Sequence, residues 1–150
     1  MVNYVLKPIG KIISDYKEKS QAPFQGRFTE NVSYLEIDQE YADGLKDINT
    51  VSHLIVLYWG HLSDRQTLLA KTPFGEEPRG VFSCRSPNRP NPVAVCVAEL
   101  LEVKGNLLKV KGVDALDQSP LLDIKPYSNK VDMVPNACIG WLEAVQAAEQ

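Results

Sequence analysis

The stretch Gly80 to Val97, GVFSCRSPNRPNPVAVCV, joins two apolar, strand-like runs through the loop Arg85-Ser86-Pro87-Asn88-Arg89-Pro90-Asn91-Pro92. Proline fixes φ at about −65° and pushes the residue before it into extended geometry, and it donates no backbone hydrogen bond. With prolines at 87, 90 and 92 the loop excludes a continuous helix and is stiff without a hydrogen-bonded ladder. Arg85 and Arg89 ride on this frame, where a guanidinium is held at low entropic cost and suits an anionic or polar ligand. A purely structural turn accounts for the prolines equally well.

Short strands with hairpin turns dominate the remainder. Tyr4 to Ile13 reads as a first strand interrupted at Pro8 and Gly10, and Val32 to Ile37 as a second. Ser52 to Trp59 is nearly continuous apolar sequence, as in a strand covered on both sides. Gly105-Asn106 between Val103 and Leu107 is a two-residue hairpin signal, with Leu108 and Val110 inward. In Val93 to Val103 the valines at 93, 95 and 97 face one way. Ala94, Cys96 and Ala98 face the other, where their small size allows another backbone or a flat ligand to approach. Leu121 to Ile124 reads as the last strand.

Helical spacing is short-lived: Glu40 to Ile48, weakened by Gly44; a segment around Asp64 to Ala70; and Cys138 to Glu149, with Trp141, Leu142, Val145 and Ala148 on one stripe for packing on the barrel or a second subunit. These patterns predict a single, mainly antiparallel β domain over 1–150, barrel-like, with short peripheral helices. None of the nine glycines forms a GxG, so the phosphate turn of a doubly wound nucleotide fold is not expected.

At 150 residues with a net charge of −3, the chain is one domain in size and carries no general attraction for nucleic acid, so an RNA partner would need a local basic patch. Cys84, Cys96 and Cys138 offer neither a CxxC pair nor an even count, and are read as buried, reduced thiols. Neither a long apolar h-region nor a run of membrane-spanning length is present, which leads to an expectation of a cytoplasmic protein without a membrane partner.

The signature stretch resembles that of the TsaA-like family, which includes the TrmO-type tRNA methyltransferases: G-V-F-A-T-R-S-P-x-R-P-N-P-I-G-L-S. Here it stands as Gly80 to Cys96 with the central loop intact. The similarity extends to Ile9-Gly10, Ala22-Pro23-Phe24-Gln25-Gly26, Ser52 to Trp59, Asp114 to Pro120 and Leu122 to Tyr127, in family order. The acidic segment corresponds to the family's D-x-L-D-G-T-P, and Phe24 stands where arginine is usual.

The resemblance implies a homodimeric β-barrel methyltransferase that uses S-adenosyl-L-methionine and N-methylates the threonylcarbamoyl-modified adenosine beside the tRNA anticodon. Carried over residue by residue, it implies a donor pocket of Pro23, Phe24, Gln25, His61, Leu62, Arg85, Val95, Asp114, Asp117, Gln118 and Ser119. Arg89 and Lys125 suit a phosphate or the substrate carboxylate. Arg79 and Lys130 complete the cations available to tRNA.

Methyl transfer needs alignment above all, and an amide-like nitrogen gains from a base or strong acceptor. Asp123 and Tyr127 are assigned that role, with Asp114 and Asp117 as further candidates. Each has a bland alternative: loop hydrogen bonding for Asp114 and Asp117, an ion pair with Lys125 for Asp123, and capping for His61. His53 reads as a hydrogen-bonded structural residue. A non-enzymatic S-adenosylmethionine sensor, or a methyltransferase acting on a small molecule, fits the same residues.

Overall fold

The computed structural model describes residues 2–22 and 30–149. Six strands close into an antiparallel barrel: β1 (Gly10–Ile13), β2 (Val32–Ile37), β3 (His53–Trp59), β6 (Val93–Lys104), β7 (Leu107–Lys111) and β8 (Pro120–Pro126), in the order β1-β2-β7-β6-β3-β8. A separate two-stranded sheet pairs β4 (Leu69–Ala70) with β5 (Arg79–Gly80), and α1 spans Gly140–Ala148. The mainly β, non-Rossmann class expected from the sequence is the one observed.

The chain divides into two compact units: Met1–Leu62 with Pro92–Tyr127, which holds the barrel, and Ser63–Asn91 with Ser128–Gln150.

Period-two alternation builds the barrel. Ile12, Leu35, Leu54, Val56, Leu108, Val110 and Leu121 are fully buried inside it, each gaining about 1.5–3 kcal/mol of transfer free energy. Gly105, at φ 59°, makes the β6–β7 turn that its sequence signals. The alanines and Cys96 of β6 face this interior: Ala94 opposes Tyr58, Cys96 opposes Val56 and Ala98 opposes Leu54. Their small size therefore makes room for core side chains.

Gly10 closes the ring. It pairs with Ile37 on one side and Leu121 on the other. The first strand starts there rather than at Tyr4, the 3–9 segment being mostly exposed.

Three further expectations are corrected. No helix forms over 64–70, because Asp64 accepts from the Gln66 N–H and the Thr67 hydroxyl (2.7 and 3.1 Å), drawing the chain into an Asx turn instead. Glu40 to Ile48 forms two 3-10 turns, Gln39–Leu45 and Ile48–Thr50, interrupted at Asp47, which has left-handed φ 68°. Residues 81–83 make a 3-10 turn rather than extending β5.

Candidate ligand site at one mouth of the barrel

Strand pairing defines the two mouths of the first unit. At one, β3 ends and β6 begins, with Trp59 opposite Val93, and β8 begins with Leu121 opposite Tyr58. The opposite mouth holds His53, Ser52 bonded to Leu100, and Tyr127, whose N–H donates to the His53 carbonyl at 2.9 Å. His53 Nδ1 sits 2.9 Å from the Ser52 hydroxyl, the structural role expected of it.

The loop from Gly112 to Ser119 crosses the first mouth. Inside it, the Tyr58 hydroxyl donates to Asp114 Oδ1 at 2.7 Å, and the Cys96 thiol donates to the same oxygen at 2.8 Å. Burial pushes the Tyr58 pKa up, and the neighbouring Asp114 carboxylate and Cys96 thiol push it further, so the phenol stays a donor. Asp114 is half-buried, and among the described residues no donor reaches its Oδ2.

Asp117 latches the loop to the end of β1. It accepts from the Ser14 N–H at 3.0 Å and from Lys17 Nζ at 2.7 Å. Partial burial works to raise its pKa, but the bonds from Lys17, Ser14 and Gln118 outweigh it, and the carboxyl is held below its ordinary value. A depressed folded-state pKa stabilises the fold above the unfolded value of about 3.9, and that stability is lost as pH falls through the folded value. Asp117→Asn is therefore expected to flatten the acid limb of the stability profile while costing about 1–2 kcal/mol at neutral pH. Urea titrations between pH 7 and pH 3 check this.

Ser119 is buried, with its hydroxyl on the Leu116 carbonyl at 2.6 Å. Gln118 adopts φ 69°, a left-handed conformation that glycine takes without strain. Its amide reaches Asp117 only at 3.4 Å. Gln118→Gly is expected to stabilise the protein by about 1 kcal/mol, read as a rise of several degrees in Tm.

The outer wall of the barrel carries a second surface. Across β3 and β6, Trp59 opposes Val93, Leu57 opposes Val95 and Ile55 opposes Val97, the three valines being about two-fifths exposed (39–44%). On the other side of β3, Asp123 opposes Leu57 and Lys125 opposes Ile55, and the two charged groups pair at 3.3 Å. The ion-pair alternative for Asp123 is the arrangement observed.

In the second unit the proline loop is held by its own arginine. Arg89 Nη1 donates to the carbonyls of Cys84 and Ser86, both at 3.1 Å. Arg65 Nε donates to the Pro90 carbonyl at 2.7 Å and its Nη2 to Asn91 Oδ1 at 3.1 Å. Arg85 is exposed. Helix α1 presents the expected stripe in part, with Trp141, Leu142 and Val145 half-buried and Ala148 exposed. It packs on its own unit: Trp141 Nε1 donates to the Ser83 carbonyl at 2.8 Å, and the Arg79 guanidinium lies 4.8 Å from the Trp141 ring centre.

Comparison with known proteins settles the lineage. The family model described as tRNA-methyltransferase O N-terminal domain matches residues 11–133. The chain belongs to this family.

Two proteins of Archaeoglobus fulgidus are similar to it. One, named "Probable S-adenosyl-L-methionine-binding protein", is 54% identical over 138 residues, covering 92% of this chain and 38% of its own length. The other, named "S-adenosyl-L-methionine-binding protein", is 49% identical over 142 residues, covering 95% and 99%. The Escherichia coli K12 "tRNA (adenine(37)-N6)-methyltransferase" is 31% identical over 160 residues, covering 99% of this chain and 68% of that protein. A solved structure of TrmO superposes with a TM-score of 0.78 at 31% identity, covering 93% of this chain and 62% of that one.

Against the TrmO N-terminal frame, the residues singled out in the sequence fall into distinct places. His61 and Leu62 follow β3 and are exposed, and Asp114, Asp117, Gln118 and Ser119 lie on the mouth loop. Val95 and the outer-wall pair Asp123 and Lys125 face away from the barrel interior, and Tyr127 lies at the opposite mouth. Arg85 and Arg89 belong to the second unit. Pro23, Phe24 and Gln25 lie outside the described residues. Cys96 is buried, whereas Cys84 is half-buried and Cys138 exposed. Tyr58 was not picked out by sequence reasoning. It stood in a run read as a strand covered on both sides, and its acceptor lies 56 residues away in the chain. Among the described residues no cluster of ligating side chains could hold a metal ion, and no helix is long and apolar enough to cross a membrane.

Proposed function

We propose that this chain is an S-adenosyl-L-methionine-dependent methyltransferase that N-methylates the threonylcarbamoyl-modified adenosine beside the anticodon of tRNA. The observation that carries the reading is family membership across residues 11–133. Relatives named for S-adenosyl-L-methionine binding and for tRNA adenine methylation support the donor and the acceptor respectively. The donor's place is assigned to the mouth of the barrel where β3 ends, with Asp114 offering a carboxylate oxygen and His61 and Leu62 following the strand. Its positive sulfonium and its hydrogen-bond donors favour such an acceptor.

Pro23, Phe24 and Gln25 are assigned to the donor site on resemblance alone, as is Arg85. Asp123 and Tyr127 are carried as proton-acceptor candidates on the sequence argument alone, Tyr127 lying at the mouth opposite to Asp114, and Lys125 and Arg89 as the anion contacts. Arg89 offers only the guanidinium nitrogens not engaged with Cys84 and Ser86. The exposed valine wall is assigned to a homodimer contact, because adjacent apolar side chains on one sheet face favour burial. The protein is proposed to work in the cytoplasm, where tRNA is modified.

A binding module without turnover is the second reading, favoured by the binding-protein name of the relative that matches over 99% of its length. The two separate in one assay: pure protein, labelled S-adenosyl-L-methionine and threonylcarbamoylated tRNA, with nucleosides read by mass spectrometry. A labelled methyl on that nucleoside is the expected result. Donor binding without transfer selects the module or another acceptor.

A further inference from the structure

We propose that Tyr58 and Cys96 are positioning residues for ligand binding: together they lock the Asp114 carboxylate so that Oδ2 is presented to a hydrogen-bond donor of S-adenosyl-L-methionine. The inference rests on the donor site assigned above and adds two residues to it.

Three observations carry it. Both donors converge on one oxygen, with the Tyr58 hydroxyl at 2.7 Å and the Cys96 thiol at 2.8 Å from Oδ1. Both come from barrel strands, with Tyr58 only 8% and Cys96 7% exposed. Asp114 stands on a loop, and Asp117 latches that loop to β1 through Ser14 and Lys17.

Rotation about the Asp114 side chain would break both bonds at once, so the carboxylate has one favoured orientation. A ligand then meets a fixed oxygen rather than a mobile carboxylate, and the entropy of fixing it has been met in folding. Tyr58 and Cys96 need not touch the ligand. The raised pKa of Tyr58 agrees with a phenol that remains a donor throughout the working range.

The two residues also differ in what can replace them. Serine at 96 keeps an O–H donor, alanine does not, and phenylalanine at 58 keeps the ring that fills the barrel while removing the hydroxyl. A merely structural role tracks stability, whereas positioning acts through Asp114 and disappears when Asp114 is absent.

The test is calorimetric titration of S-adenosyl-L-methionine into the full chain as wild type, Tyr58→Phe, Cys96→Ala, Cys96→Ser, Asp114→Ala and the double variant Tyr58→Phe/Asp114→Ala, with thermal unfolding of each. The expected result is a Kd raised about tenfold in Tyr58→Phe and Cys96→Ala, near wild type in Cys96→Ser, and no worse in the double variant than in Asp114→Ala alone. Wild-type affinity in both Tyr58→Phe and Cys96→Ala overturns the inference and leaves the donor site standing. So does an equal loss from Tyr58→Phe with and without Asp114. Failure of the wild type itself to bind S-adenosyl-L-methionine overturns the donor-site reading, and this inference with it.

Discussion

Gly10→Ala is expected to lower the stability of the protein by about 3 kcal/mol or more, or to prevent folding. A Cβ at this position would run into the Glu36 carbonyl oxygen, and it would lie 2.9 Å from the Glu36 carbonyl carbon and 3.0 Å from Ile37 Cα. All three are backbone atoms of β2, the strand with which Gly10 pairs. A side chain could rotate away, but a ladder can make room only by separating its strands. Gly10 also pairs with Leu121 on β8, so the displacement would strain the seam that closes the ring. Gly44→Ala is the control, because nothing lies within 4 Å of its added methyl. Urea unfolding of the two variants should show a large loss for the first and little change for the second. Wild-type stability in Gly10→Ala would mean that β1 and β2 do not approach as described.

Asp114→Ala is expected to act on two readouts. Removing the carboxylate leaves the Tyr58 hydroxyl without its acceptor, which costs about 1–3 kcal/mol because a buried donor that loses its bond keeps its desolvation penalty. It also removes the oxygen assigned to the methyl donor, and S-adenosyl-L-methionine affinity should fall about 30-fold, the scale of a lost hydrogen bond to a charged group. Adding Tyr58→Phe should recover part of the stability, since the orphaned hydroxyl goes with it, without recovering affinity. Calorimetry and urea unfolding on the same preparations separate the effects. Loss of stability with unchanged affinity would confine Asp114 to the fold.

The two residues differ in how far their roles could be read in the chain. Gly10 was visible as an interruption in an alternating strand, but its necessity depends on the Glu36 carbonyl, which the barrel brings to it from β2. Asp114 was visible as an acid in a turn-rich loop, with hydrogen bonding and ligand contact equally open. The hydrogen bonding is observed at Oδ1, and among the described residues no donor reaches Oδ2, the oxygen on which the proposed ligand contact rests. Arg89 shows what local reasoning leaves out: two arginines on a rigid loop look alike in sequence, yet one bonds the carbonyls of Cys84 and Ser86 while Arg85 is exposed. The expected helix over 64–70 failed because apolar spacing says nothing about a side chain that captures nearby backbone donors.

What the sequence determined by itself was what depends on nearby residues. Alternation set the strands and divided their side chains into two faces, Gly105 set the β6–β7 turn, the prolines stiffened the signature loop, and the ordered motifs set the family. Tertiary structure decided what depends on residues distant in the chain. Closure of β1 onto β8 was one such matter. Another was the assignment of the small face of β6 to the core and its valines to solvent, and a third was the meeting of Tyr58, Cys96 and Asp114. Strand periodicity divides side chains into two sets but carries no sign. Only the curvature of a closed sheet makes one set inside and the other outside, and only closure brings hydrogen-bonding partners from separate strands to one oxygen.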